Sequence, residues 1–111
     1  MKLPFAENAY IPQPKITKYL LNIEHLRGGK DKAIFFMRFG FSLDEWHIME
    51  KSLLAHAQTY EVANTLETPE GVHYVIEGNL DTPDGRNPLI RTVWALDTDS
   101  QTPRFITAYP I

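Results

Sequence analysis

The sequence contains no cysteine, which excludes both a disulfide framework and a thiolate metal site. It has no apolar run near the roughly 18 residues that a membrane-spanning helix needs, and its first residues lack the apolar stretch of a signal peptide. Negatively charged residues also outnumber positively charged ones, with 14 Asp and Glu residues against 11 Lys and Arg residues. A generic polyanion-binding surface is therefore excluded, and a nucleic-acid contact would need a local basic patch. We expect a cytoplasmic protein that makes no membrane contact.

The composition is that of an ordinary folded chain. Hydrophobic residues make up 43% and aromatic residues 12% of the 111 positions, which argues against disorder. This length suits one hydrophobic core and is too short for two. We therefore predict a single domain over residues 1–111, with an extended arm at 1–13, a helical part at 14–58 and a β-meander at 59–111.

The helical part carries two to three helix patterns. The first helix is predicted over residues 14–22, because Pro14 is tolerated in a first turn and apolar residues follow at helical spacing. The second helix is predicted between Asp31, as its N-cap, and Gly40, which suits the position after a helix end. A third helix follows the capping box Ser42–Glu45. Its apolar stripe consists of Trp46, Met49, Leu53 and Ala57.

From Thr59 onward the apolar residues alternate with a period of two, which indicates β-strands. Pro, Gly and Asp clusters break this pattern three times and predict turns. The four strands are expected at about 60–66, 72–80, 89–96 and 104–109. Helices followed by such a meander predict an α+β fold, with the helices packed on one face of a four-stranded antiparallel sheet.

A basic turn between the first two helices concentrates the polar chemistry of the chain. It contains His25, Arg27, Lys30 and Lys32 around the pair Gly28-Gly29. A histidine can move a proton near neutral pH, and nearby cations can bind a phosphate and stabilise developing negative charge. The alternative is a helix connection whose charges are merely solvated.

The strands supply a second group of candidates. Arg91 lies in an otherwise apolar strand, so it either pairs with a carboxylate or points at a ligand from the open sheet face. Thr92 points to the opposite face, so at most one of the two faces any given site. On the last strand Thr107 and Tyr109 share a face, whereas Arg104 lies on the other face unless a bulge intervenes. Hydroxyls beside an arginine are suitable phosphate donors.

The remaining histidines suggest no metal site. His47 and Glu50 stand at i, i+3, but the rest of a ligand set is missing. His56 flanks the stripe of the third helix, and His73 is an outward strand position. We therefore predict no bound metal and no cofactor.

Several segments together resemble a known family. They are Lys15–Asn22, Glu24-His25, Gly28–Ala33, Phe39–Phe41, Arg91–Trp94 and Pro103–Pro110. Their combination resembles DUF6883, a bacterial domain of unknown function, over nearly the whole chain. The first segments are also similar to the C-terminal toxin domains of contact-dependent inhibition proteins, many of which cleave tRNA. The order of helices and meander resembles the barnase–EndoU–colicin–RelE (BECR) superfamily of metal-independent ribonucleases.

This second resemblance implies a toxin-like, metal-independent ribonuclease that needs no cofactor and cleaves RNA through a 2′,3′-cyclic phosphate. The catalytic residues would be His25, Lys30 and Arg91. The substrate-binding residues would be Arg27, Lys32, Thr92, Arg104, Thr107 and Tyr109.

A non-catalytic interaction domain is the alternative hypothesis. The acidic total and the absence of a broad basic face favour it. Such a domain would bind a neighbouring-gene product, or would itself be an immunity-type protein. The two hypotheses therefore imply different partners, RNA such as tRNA in one case and a cognate inhibitor or another protein in the other.

Overall fold

The computed structural model describes residues 1–24 and 29–111. A 3₁₀ turn at Ala6–Asn8 precedes helix α1, which is α-helical at Gln13–Lys15 and π-helical at Ile16–Leu20. Helix α2 spans Gly29–Arg38 and helix α3 spans Trp46–Thr59. The strands are β1 at Val62–Thr68, β2 at Gly71–Asn79, β3 at Leu89–Asp97 and β4 at Arg104–Pro110. They form one antiparallel sheet in the order β1-β2-β3-β4, which confirms the predicted α+β meander.

Two predicted helix starts differ from the structure. Helix α2 begins at Gly29, so Asp31 lies in its first turn and is not its N-cap. An acidic residue is favourable at either place, because both lie at the positive end of the helix dipole. Ser42 Oγ does accept a hydrogen bond from the Glu45 N–H at 3.3 Å, but helix α3 starts only at Trp46. The end of α2 is as predicted, since Gly40 has a φ of +101°.

One hydrophobic core lies between the helices and one face of the sheet, as predicted. The sheet contributes fully buried side chains from β2, β3 and β4. They include Ile76, Ile90, Trp94, Phe105 and Ala108. The helices contribute Ile16, Leu20, Phe36, Met49, Leu53 and Ala57. We call this side of the sheet the covered face.

Three rows of side chains cross the other side of the sheet, which we call the open face. The first row is Glu77, Arg91 and Tyr109. The second row is Val75, Val93 and Thr107, and the third is His73, Ala95 and Arg104. On β2 and β3 neighbouring rows are two residues apart, or about 7 Å.

A β-bulge in β4 decides which residues join these rows. Val93 pairs with Thr107 but Trp94 pairs with Phe105, so Ile106 is an extra residue. The bulge places Arg104 on the same face as Thr107. The sequence predicted opposite faces for these two residues unless a bulge intervened. A second irregularity in β1, between Val62 and Asn64, breaks the uniform alternation predicted for that strand.

The N-terminal arm packs along the sheet. Leu3 and Ile11 are buried in the core. Tyr10 forms a parallel bridge with Arg104, and the Phe105 N–H donates to the Tyr10 carbonyl at 3.0 Å. The arm therefore pairs with the first residues of β4 at its outer edge. Among the described residues, no helix has the length and apolarity that would let it cross a membrane.

Candidate functional site

A polar cluster forms where helices α1 and α2 meet strand β4. The Lys32 ammonium donates to the Tyr19 hydroxyl and, at 3.2 Å, to Thr107 Oγ1. The two hydroxyl oxygens of Tyr19 and Thr107 are themselves 3.1 Å apart. Lys15 Nζ lies 5.7 Å from the centre of the Tyr19 ring. We call these four residues the Lys32 cluster.

The Tyr109 ring connects this cluster to the first row of the open face. Lys32 Nζ lies 5.9 Å from the ring centre, and Arg91 Cζ lies 5.5 Å from it. Arg91 also forms an ion pair with Glu77, in which Arg91 Nε donates to Oε2 at 2.7 Å. Two cations thus contact one aromatic ring, an arrangement that holds both in defined positions.

The surroundings of the cluster change the acidity of its groups. Burial by itself raises the pKa of Tyr19, but hydrogen bonds from Lys32 and Thr107 and the charges of Lys32 and Lys15 outweigh it. The net effect lowers the pKa of Tyr19 from its ordinary value of 10.0. Hydrogen bonding to Tyr109 and then to Glu77 raises the pKa of Arg91, so this guanidinium stays charged. The site therefore combines fixed positive charge with an acidified hydroxyl.

Two open grooves adjoin at β4, where Thr107 and Tyr109 are neighbours on the open face. The first has a volume of about 410 Å³ and is lined by Lys15, Tyr19, Lys32, Ile106 and Thr107. The second has a volume of about 420 Å³ and is lined by Ala63, Asn64, Val75, Glu77, Arg91 and Tyr109. Each groove is open to solvent.

The structure brings together only some of the residues that the sequence suggested. Lys32, Arg91, Thr107 and Tyr109 meet as described above. His25 and Arg27 lie outside the described residues. Lys30 is exposed in the first turn of α2 and does not join Lys32, because residues two apart on a helix do not share a face.

Thr92 lies on the covered face and belongs to a buried hydrogen-bond chain. Trp94 Nε1 donates to Thr92 Oγ1 at 2.9 Å, and Thr92 Oγ1 lies 3.1 Å from His56 Nδ1. His56 Nε2 lies 3.0 Å from the Gly78 carbonyl oxygen. Because a carbonyl only accepts, His56 Nε2 carries the proton and Nδ1 accepts from Thr92. Thr92 is thus turned away from the open-face site.

Sequence reasoning missed the structural role of His56. This histidine is 2% exposed, and burial lowers its pKa below the ordinary value of 6.5. Its position beside the apolar stripe of α3 was the only available signal, and it does not reveal the partners on β2 and β3.

The third row of the open face lines another groove, with a volume of about 610 Å³. His73 and Arg104 lie on either side of Ala95 in this row. The other lining residues are Thr68, Pro69, Glu70, Asp97 and Thr98. Sequence reasoning named Arg104 as a candidate and predicted that His73 points outward, but it did not connect the two.

Among residues 1–24 and 29–111 no group of three His, Asp or Glu side chains is placed to hold a metal ion. His47 Nδ1 does lie 3.9 Å from Glu50 Oε1, on the exposed side of α3.

The family model described as a domain of unknown function, DUF6883, matches residues 2–111. This chain belongs to the DUF6883 family. The resemblance seen in the sequence segments is thereby confirmed. No curated protein matches the DUF6883 chain significantly.

A solved structure shares the DUF6883 fold. It is a chain of the "Contact-dependent growth inhibition toxin - immunity protein complex from Klebsiella pneumoniae 342". The TM-score is 0.74 at 15% sequence identity, with 97% of each chain covered. At this identity the likeness shows the fold alone.

Proposed function

We propose that this DUF6883 domain is a toxin-type, metal-independent ribonuclease that binds an RNA phosphate between the Lys32 cluster and Arg91. The observation that carries the proposal is the pair of cations, Lys32 and Arg91, on one Tyr109 ring beside the acidified Tyr19. A local patch of this kind is what an acidic protein needs in order to bind nucleic acid. The fold is shared with a chain of a toxin–immunity protein complex, which supports a toxin-type or an immunity-type domain.

The proposed reaction is an internal transfer within RNA. The ribose 2′-oxygen attacks the adjacent phosphorus while the bond from phosphorus to the 5′-oxygen breaks. A base takes the 2′-hydroxyl proton, and an acid gives a proton to the leaving 5′-oxygen. The products are a 2′,3′-cyclic phosphate and a 5′-hydroxyl end.

Each residue of the site has a role in this reaction. Lys32 and Arg91 stabilise the extra negative charge of the pentacoordinate phosphorane. Tyr19, whose pKa is lowered, serves as the proton donor to the leaving oxygen. Tyr109 positions both cations. His25, which lies outside the described residues, remains the candidate from the sequence for moving a proton as general base or acid.

Cleavage of total tRNA by the purified protein in EDTA tests the proposal directly. We expect 2′,3′-cyclic phosphate ends, and a rate that falls about 100- to 1,000-fold in Lys32→Ala, the cost typical of removing one charge-stabilising donor. Lys51→Ala, an exposed lysine on α3, is the matched control and should cleave at the wild-type rate. Intact tRNA with the wild-type protein, or equal rates for Lys32→Ala and wild type, would refute the ribonuclease assignment.

A partner-binding domain without catalysis is the second candidate, and the outer edge of β1 favours it. Residues 63–67 are all exposed, and the Leu66 side chain is 61% exposed. An open strand edge with an exposed leucine is a common place for another chain to pair. Expression without an inhibitor separates the two candidates. A binding module should express freely, whereas an active ribonuclease should be toxic and Lys32→Ala should relieve that toxicity.

A further inference from the structure

The groove of the third row differs from the neighbouring site in its charge pattern. The Lys32 cluster and Arg91 present mainly cations. The third-row groove instead combines the side chains of His73 and Arg104 with the carboxylates of Glu70 and Asp97. A phosphate group, which only accepts hydrogen bonds, would be repelled by these two carboxylates. The groove therefore fits a ligand that presents both donors and acceptors.

Arg104 is available for such a ligand. Within the described part of the chain, the side chains of Arg104 and His73 have no hydrogen-bond or ion-pair partner. Arg104 is partly exposed, and no nitrogen of its side chain is buried without a partner, so the guanidinium is open to a ligand. Arg91, in contrast, is held by Glu77. A ligand that accepts hydrogen bonds can therefore replace water at Arg104.

The groove lies one row beyond Thr107 and two rows beyond Arg91. Lys32 donates to Thr107, which belongs to the second row. The third row is about 7 Å further along the strands, a distance that the base of a nucleotide can span from its own phosphate. An RNA chain held at Lys32 would therefore bring one of its bases over His73 and Arg104.

Guanine is the base whose edges match this set of side chains. Its O6 and N7 accept a bidentate pair of hydrogen bonds from an arginine. Its N1–H and N2–H are adjacent donors that one carboxylate can accept together. The other three bases do not offer both pairs. Resting on the proposed function for the neighbouring phosphate, we propose that the third-row groove is a nucleobase subsite that selects guanine through Arg104 and the carboxylates Glu70 and Asp97.

Binding of RNA that cannot be cleaved separates this subsite from the catalytic proposal. Short 2′-O-methyl oligonucleotides of equal length, carrying guanine, adenine, cytosine or uracil at one position, are titrated by fluorescence anisotropy. We expect guanine to bind about 10-fold more tightly than the other bases, because a bidentate pair contributes roughly 1–3 kcal/mol of discrimination. Arg104→Ala and Arg104→Lys should both abolish this preference, since lysine keeps the charge but lacks the planar fork.

The carboxylates and a control arginine complete the experiment. Glu70→Gln together with Asp97→Asn should weaken guanine binding and leave uracil binding unchanged or stronger. Arg38→Ala, an exposed arginine at the end of α2, should change neither affinity. Thermal unfolding of each variant verifies that the fold is intact.

Several outcomes would overturn the guanine subsite. One is equal affinity of the wild type for all four oligonucleotides. Another is that Arg104→Ala weakens the binding of all four oligonucleotides equally and lowers the salt dependence of binding by about one phosphate contact. That behaviour would mean that Arg104 binds a phosphate and not a base. Uniform binding that Lys32→Ala removes would reject the subsite but keep the phosphate site. Absence of all binding would reject both.

Discussion

Arg91 and Thr92 are neighbours in the chain but lie on opposite faces of the sheet, and the two faces treat polar groups differently. On the covered face, Thr92 is fully buried and bonded to His56 and Trp94. On the open face, Arg91 is partly exposed and shares the Tyr109 ring with Lys32. Polar groups on the covered face are satisfied within the protein, whereas those on the open face can still bind a ligand. Substitutions on the two faces should therefore separate stability from activity.

Among substitutions in the sheet, the largest effect is expected from Arg91→Ala, which tests the open face. We predict that the rate of tRNA cleavage falls about 100-fold, because one of the two cations that stabilise the phosphorane is lost. The free energy of unfolding should change by less than about 1 kcal/mol, since the pair with Glu77 is partly exposed. Cleavage rates and urea unfolding measure the two quantities. A large loss of stability with an unchanged cleavage rate would mean that Arg91 stabilises the fold and takes no part in cleavage.

Thr92→Val tests the covered face and should give the opposite result. Valine has nearly the same shape but leaves Trp94 Nε1 without its acceptor and His56 Nδ1 without its donor. We expect the free energy of unfolding to fall by about 1–3 kcal/mol, with an unchanged cleavage rate per folded molecule. Thr65→Val, at an exposed position on β1, is the matched control and should stay within about 0.5 kcal/mol. A Thr92→Val variant as stable as this control would contradict the structural role of the buried hydrogen bonds of Thr92.

The buried hydrogen bonds among Thr92, Trp94 and His56 also predict how stability depends on pH. Burial lowers the pKa of His56 in the folded state below the ordinary 6.5 of an unfolded chain. As pH falls below about 6.5, the unfolded state binds a proton that the folded state does not, so stability decreases by up to about 1.4 kcal/mol per pH unit. Above that pH the contribution is fully present. Urea unfolding from neutral pH to about pH 5 measures it, and His47→Gln should leave this dependence unchanged because His47 is exposed.

Glu77→Gln should have the smallest effect. It removes the charge that holds Arg91 on the open face but keeps a hydrogen-bond acceptor. We expect a stability change of about 0.2–1 kcal/mol at most and a several-fold change in the cleavage rate or less. A loss as large as that of Arg91→Ala would mean that Glu77 itself takes part in the reaction. The pair of variants thus distinguishes a positioning carboxylate from a catalytic one.

The sequence predicted the strands and the facing of their residues because period-two alternation is local. The opposite orientations of Arg91 and Thr92 follow from that alternation and are seen in the structure. The bulge at Ile106 could not be located, because an extra residue becomes visible only when a strand is aligned with its partner. For the same reason the sequence could predict the face of Arg104 only for a strand without a bulge.

The candidate site was predictable only in part. Lys32 lies 13 positions from Tyr19 and 75 from Thr107, so their hydrogen bonds depend on how α1 and α2 pack against β4. Sequence patterns indicate which side of a helix is apolar but not which polar side chains meet across elements. The same limit explains why Lys30 and Lys32 were grouped although only Lys32 joins the cluster.

The bulge at Ile106 also determines which changes in chain length this fold can accept. Deleting Ile106 would restore strict alternation and leave the other residues of β4 on their present faces, because Val93 already pairs with Thr107 and Trp94 with Phe105. Deleting one residue from β3, whose pairing with β2 has no extra residue, would instead turn the residues on one side of the deletion to the opposite face. We therefore expect the deletion of Ile106 to be tolerated far better than a one-residue deletion in β3. Insertions in the turn at 98–103 leave this register unchanged and should be tolerated.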